Sequence, residues 1–84
     1  MIVRWTPTAL RDLKSLHGYA AATVELSLSG IDALARHPEM GRRGRVAGTR
    51  ELIVAPYVVA YRITKGAIEI VAIIHAARRW PDSF

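Results

Sequence analysis

Apolar and polar residues alternate in Ile2-Val3-Arg4-Trp5, a period of two that predicts a short strand. The period then changes. Thr6-Pro7 supplies an N-cap followed by proline at the first helical position, where its missing N–H costs no hydrogen bond. Leu10, Leu13 and Leu16 recur on one stripe of this first helix, and Gly18 stops it. Val24, Leu28, Ile31, Leu34 and Ala35 predict a second helix with these residues on its inner face. It ends before His37-Pro38, because proline disfavours a helical residue ahead of it. Ser27, Ser29 and Gly30 form helix less well than alanine, so the second helix depends on tertiary contact. Pro38-Glu39-Met40-Gly41 reads as a turn and residues 41–49 as a loop.

Residues 50–54, 57–63 and 68–75 are rich in β-branched and aromatic side chains. The short connections at Ala55-Pro56 and Lys65-Gly66 predict an antiparallel meander. Counting outward from those turns opposes Ile63 to Ile68, Arg62 to Glu69, Tyr61 to Ile70, Val58 to Ile73 and Glu51 to Ala60. Side chains then sort onto two faces. One holds Leu52, Val54, Tyr57, Val59, Tyr61, Ile63, Ile68, Ile70, Ala72 and Ile74, apolar enough to lie beneath the helices. The other mixes Glu51, Arg62, Glu69 and His75 with Ile53, Val58, Ala60, Val71 and Ile73, and no third layer remains to cover it. At about 25 cal/mol per Å2, leaving those side chains wet forfeits a few kcal/mol, so a partner is expected on this face.

Eighty-four residues make a single domain, 1–84, of α+β class: a short N-terminal strand, then a helical hairpin packed on one face of an antiparallel sheet. There is no cysteine, so neither a disulfide nor a thiolate metal site can hold the fold, and packing or a partner must. The longest apolar run, residues 70–74, is far below the roughly 20 needed to cross a bilayer, and the start does not read as a signal peptide. A soluble, cytoplasmic protein with no membrane partner is expected. The net charge of +5 favours acidic partners. It is concentrated at Arg42, Arg43, Arg45 and Arg50 and again at Arg78-Arg79-Trp80.

Few residues suggest acid–base chemistry. Arg62 could serve as a cation at a phosphate, but Glu69 opposite makes a cross-strand ion pair the plainer role. His75 has a side chain that titrates near neutrality and suits a general base, although a strand-end histidine more often bonds nearby backbone. Glu51 pairs with Arg62 or with the loop arginines rather than acting as an acid. His17 and His37 are distant from His75 in sequence, so no metal site or cofactor is expected. Arg42, Arg43, Arg45 and Arg50 suit acidic side chains or phosphate. Arg78, Arg79 and Trp80 suit an interface anchor, with Trp80 alternatively folding back to close the core. Leu13, Leu16 and Trp5 read as packing first and partner contact second.

At Trp5-Thr6-Pro7, Ala9, Asp12-Leu13, Pro38-Glu39-Met40-Gly41-Arg42, Gly48-Thr49-Arg50-Glu51-Leu52, Tyr57, Tyr61-Arg62-Ile63 and His75-Ala76-Ala77-Arg78 the chain resembles toxins of the RelE/ParE family, from bacterial type II toxin–antitoxin modules. The resemblance spans almost the whole length. It implies the strand, hairpin and sheet read above, and an antitoxin, ParD-like or similar, whose C-terminal segment wraps the toxin in a hetero-oligomeric complex. Arg42, Arg43, Arg45, Arg50, Ile53, Val58, Val71, Ile73, Leu13 and Leu16 are then the antitoxin-binding residues. Family members usually carry more residues between the first-helix tyrosine and the second helix than Tyr19-Ala20-Ala21-Ala22 provides, so a shortened hairpin or a lost segment is expected.

Two mechanisms share such a fold, and the fold alone does not choose. RelE-like toxins cleave mRNA on the ribosome, with cationic and acid–base side chains acting on a ribose hydroxyl and the phosphate. ParE-like toxins inhibit DNA gyrase by binding and arrest growth. The resemblance to RelE-like nucleases along 57–61 implies a phosphate-facing arginine directly after the first aromatic, where this chain has Val58. Their usual C-terminal histidine-tyrosine or lone-tyrosine acid is replaced by Arg78-Arg79-Trp80-Pro81. The chain therefore reads as a non-catalytic gyrase inhibitor with Arg78, Arg79 and Trp80 facing the target. The alternative is a metal-independent, ribosome-dependent mRNA endonuclease using His75, Arg62 and Arg78.

Overall fold

In the computed structural model, which describes residues 1–16, 18–76, 80 and 84, strand β1 (Ile2–Trp5) leads into α1 (Pro7–Lys14) and α2 (Tyr19–Leu26). A π-helical turn (Ser27–Ile31) continues α2 into the short α3 (Asp32–Leu34). Strands β2 (Arg42–Arg43), β3 (Arg50–Val54), β4 (Tyr57–Thr64) and β5 (Ala67–His75) follow. They form one sheet in the order β1-β5-β4-β3-β2. β3, β4 and β5 make the antiparallel meander, and β1 joins the far edge parallel to β5, so the sheet is mixed.

Thr6 ties the first helix to the sheet. Its hydroxyl accepts from the Ala9 amide at 3.2 Å as an N-cap and donates to the Ile70 carbonyl at 2.8 Å. The face that α1 buries carries Ala9 and Leu13, with Leu16 partly buried and Leu10 exposed. The second helix turns Ile31 and Leu34 inward as expected, but its first turns bury Ala22 and Leu26 in place of Val24 and Leu28. Ala22, Leu26, Ile31 and Leu34 are buried, while Val24 and Leu28 are 56% and 78% exposed. Ala22 and Leu26 align one turn apart, and the π turn then adds a residue that brings Gly30 and Ile31 against the sheet. A Cβ on Gly30 would stand 3.2 Å from Val54 Cγ2 and nearer still to Leu52, so glycine here lets the helix backbone approach the sheet.

The β4–β5 register is as expected at Ile63, Arg62 and Tyr61, but Val58 faces Ile74 rather than Ile73. Ala60 pairs with Ala72 and Tyr61 with Ile70, leaving Val71 as the extra residue of a bulge. Every later side chain of β5 changes sides. Ile73 joins the helix-side core with Leu13, Leu26, Val59 and Tyr61, whereas Ala72 and Ile74 move to the opposite face. Asp12, on α1, accepts from the Ile73 amide at 3.1 Å through Oδ2, just beyond the bulge. Asp12→Ala removes that acceptor, and leaving the amide unsatisfied is expected to cost about 1–2 kcal/mol. A urea midpoint that falls at unchanged slope would show it.

The opposite face is not open, and this corrects the expectation that Val58, Val71 and Ile73 lie uncovered for a partner. Val58, Ala60, Val71, Ala72 and Ile74 are all at most 5% exposed, and Ile73 lies in the helix-side core. Trp80 folds back against the cluster of Ala60, Val71, Ala72 and Ile74 and supplies cover that a count of helices omits. Of the four apolar residues of this sheet face expected to bind the antitoxin, only Ile53, at 51%, is exposed.

Candidate functional site

The basic loop between β2 and β3 is built on a buried carboxylate. Glu51, 1% exposed, accepts at Oε1 from Arg42 Nε and Nη2 at 3.2 and 3.0 Å, and at Oε2 from the Arg45 amide at 2.7 Å. These charge-assisted bonds fold the loop back over its own strand. The loop closes on itself, with the Gly44 amide donating to the Thr49 carbonyl at 2.8 Å and the Thr49 hydroxyl to the Val46 carbonyl at 2.7 Å. The Arg45 guanidinium then lies 4.2 Å over the Trp80 ring. Glu51, the loop and Trp80 therefore form one connected unit.

Strand parity separates the four loop arginines. Arg42 stands opposite Glu51 in the β2–β3 ladder, whereas Arg43 stands opposite Arg50. Arg50 is held by backbone acceptors, donating from Nη1 to the Gly41 carbonyl at 2.8 Å and the Glu39 carbonyl at 3.4 Å. A cleft of about 540 Å3 opens here, lined by Arg43, Arg45, Thr49, Arg50 and Ile63 among others. A second cleft of about 690 Å3 shares Ile63 as a wall and is otherwise lined by Met1, Arg36, His37, Pro38, Glu39 and Met40.

Tyr61 holds the turn between them. Its buried hydroxyl accepts from the Gly41 amide at 3.0 Å and donates to the Pro38 carbonyl at 2.7 Å. Burial pushes this hydroxyl above its ordinary pKa, opposed by the Gly41 hydrogen bond and the charge of Arg50, with Glu39 adding to the rise. A Cβ on Gly41 would stand 2.6 Å from the hydroxyl and 2.8 Å from the Glu51 carbonyl, so no larger residue fits.

Of the residues considered for acid–base chemistry, the described ones, Arg62 and His75, do not converge. Arg62 pairs with Glu69 at 3.6 Å, as the register expected, with both side chains substantially exposed. His75 meets the Tyr57 ring edge-on at 5.9 Å between centroids, carried to the helix side by the bulge. Arg62 lies five positions beyond Tyr57 along β4, roughly 16 Å at the ~3.3 Å rise of a strand. Arg78 and Arg79 lie outside the described residues, as does His17. Leu13 is in the core and Leu16 packs at its margin. Among the described residues no three histidine, aspartate or glutamate side chains gather as a metal would require. The Tyr61 bridge, the Asp12 link and the Arg45–Trp80 stack escaped the sequence reading, because each joins residues far apart in the chain.

Residues 3–80 match the family of ParE toxins of the type II toxin–antitoxin system parDE. The chain is 42% identical to Y4kP of Sinorhizobium fredii, a protein classed by name among toxins, over 90 positions covering 95% of this chain and 93% of the relative. It is also 42% identical to the toxin RelE2 of Caulobacter vibrioides over 85 positions, covering 90% of this chain and 96% of that one. In both alignments the aligned length exceeds this chain's share, so each relative carries residues with no counterpart here. Among solved structures, the toxin–antitoxin complex RelBE2 of Mycobacterium tuberculosis matches with TM-score 0.69 and 32% identity, covering 88% of this chain and 95% of that chain. A chain of the chromosomal ParDE system of P. aeruginosa matches with TM-score 0.75 over 89% and 95%, and at 21% identity this likeness concerns the fold alone.

Proposed function

This chain belongs to the ParE toxin family of type II toxin–antitoxin systems, and from that premise we propose that it inhibits DNA gyrase by binding and is neutralised by a cognate antitoxin, acting in the cytoplasm. The observation that carries this reading is Val58. At the position where the resemblance to RelE-like nucleases implies a phosphate-facing arginine, the side chain is apolar and 2% exposed on a face closed by Trp80. It can neither bind a phosphate nor move a proton. The separation of His75 from Arg62 supports the same reading, since general acid–base catalysis needs its groups within hydrogen-bond reach of one substrate. An antitoxin partner is supported by the family and by the toxin–antitoxin complex RelBE2 of the 32% identical relative.

Controlled expression is expected to stop growth with cleaved gyrase–DNA complexes and intact transcripts, and the purified chain to block supercoiling by gyrase. Transcripts cut on ribosomes, with gyrase unaffected, would give the case to mRNA cleavage, the activity that RelE-like toxins perform. Replacing Arg78 and Arg79 by alanine is expected to weaken gyrase binding at least ~30-fold, as for the loss of about 2 kcal/mol at an interfacial arginine. The far-ultraviolet spectrum should not change. Undiminished growth arrest would remove these two residues from the target-binding surface.

A further inference from the structure

We propose that the cleft lined by Met1, His37 and Met40 binds a soft monovalent cation, Cu(I), through two thioether sulfurs and one imidazole nitrogen. Such a site does not depend on which target the chain acts on. The first observation is a convergence. The chain has two methionines, far apart in sequence, and both line this one cleft of about 690 Å3 together with His37. Met1 and Met40 are 45% and 43% exposed, so their sulfurs are not consumed by core packing. Among the described residues no group hydrogen-bonds the His37 ring, which leaves an imidazole nitrogen available as a ligand.

The second observation is that the backbone holds these residues in place. The Met40 amide donates to the His37 carbonyl at 3.1 Å, closing a turn with Pro38 at its second position. Such a turn brings its first and last Cα atoms within about 7 Å, and proline fixes its backbone. Tyr61 locks it further, through the Pro38 carbonyl and the Gly41 amide. Met1 arrives from the other side, its amine donating to the Ala35 carbonyl at 2.8 Å, just before His37. Donors held in this way lose little freedom when a metal binds.

The donor set selects the ion. Thioether sulfur with imidazole suits Cu(I), whereas Zn(II) takes its ligands from cysteine, histidine, aspartate and glutamate. Among the described residues only His37 and Glu39 supply such donors to the cleft, and nowhere do they gather in threes. The Met1 amine and Arg36 outweigh Glu39 in charge here, which opposes a divalent ion more than a monovalent one. The chain has no cysteine to compete for a soft cation.

Labelling the methionine methyl groups with 13C gives the full chain two nuclear magnetic resonance signals, one for each sulfur. Ag(I) in chloride-free buffer is the redox-inert probe. Both signals are expected to shift together and to saturate at one equivalent, and Cu(I) kept reduced without air or thiols should move the same two signals. Met40→Leu removes a sulfur while keeping the size and hydrophobicity of the side chain, so the melting temperature should not change. Loss of an outer-shell partner already costs a metal site ~10–100-fold, so Met40→Leu and His37→Asn, each removing a ligand, should weaken Ag(I) binding at least ~100-fold. Either variant binding like the parent overturns the proposal. So does a shift of one methyl signal alone, or saturation of the two at different concentrations, since the sulfurs would then act separately. Zn(II) that displaces Ag(I) at equal concentration would make this an imidazole–carboxylate site and overturn the assignment to Cu(I).

Discussion

Replacing Tyr61 by phenylalanine is expected to lower stability by about 2 kcal/mol, although no apolar surface is lost. The ring is fully buried, and its hydroxyl is the partner recorded for both the Gly41 amide and the Pro38 carbonyl. Phenylalanine would leave both backbone groups facing a hydrocarbon edge without that partner. For a domain of this size the melting temperature should fall by roughly 10 °C. Tyr61→Ala adds the loss of the ring, about 3–5 kcal/mol, and is expected to leave little folded protein. A phenylalanine variant that melts with the parent would show that the bridge contributes nothing.

The same hydroxyl sets a pH dependence whose sign follows from its burial. Its pKa is raised, so the folded chain keeps the proton after the unfolded chain has released it. Above about pH 10 the unfolded state therefore binds fewer protons, and stability falls as pH rises. Below that pH the contribution is constant. The difference in stability between the parent and Tyr61→Phe should be level up to about pH 10 and narrow beyond it, which chemical denaturation at several alkaline pH values would measure.

Trp80→Ala is expected to cost about 2 kcal/mol, less than the 3–5 of a fully buried tryptophan because this ring is only partly covered. Its main consequence is exposure. Ala60, Val71, Ala72 and Ile74 would lose the ring packed against them, and a sheet face that the helices do not reach would become wet. Dye binding and concentration-dependent aggregation should rise accordingly. Trp80→Phe should retain most of the cover and also remove Nε1, which is buried without a hydrogen-bond partner. Arg45→Ala, which loses only the stacked guanidinium, should cost about 0.5–1 kcal/mol. If the alanine variant at Trp80 melts and aggregates like the parent, the Trp80 ring does not seal the sheet.

Val58 bears on both stability and function. Its burial keeps it from any phosphate, and it is also why the notion of an open sheet face gives way to a narrower one, in which Ile53 stays exposed. The loop arginines divide in the same way. Arg42 and Arg43 are adjacent and alike in composition, yet one neutralises a buried carboxylate and the other faces a second arginine.

Features governed by near neighbours could be read from the chain. The Thr6-Pro7 helix start, the turns at Ala55-Pro56 and Lys65-Gly66, the register beside those turns and the Arg62–Glu69 pair all depend on a few consecutive residues, and all stand in the structure. What could not be read is which side each element turns inward. The segment from Tyr19 to Ile31 is apolar around much of its circumference, so periodicity did not choose Ala22 and Leu26 over Val24 and Leu28; the close approach at Gly30 did. One extra residue at Val71, with Asp12 receiving the amide of Ile73, reversed every later side chain of β5. Such an insertion leaves composition and alternation almost unchanged and is selected by packing between distant segments, so only the assembled fold reveals it.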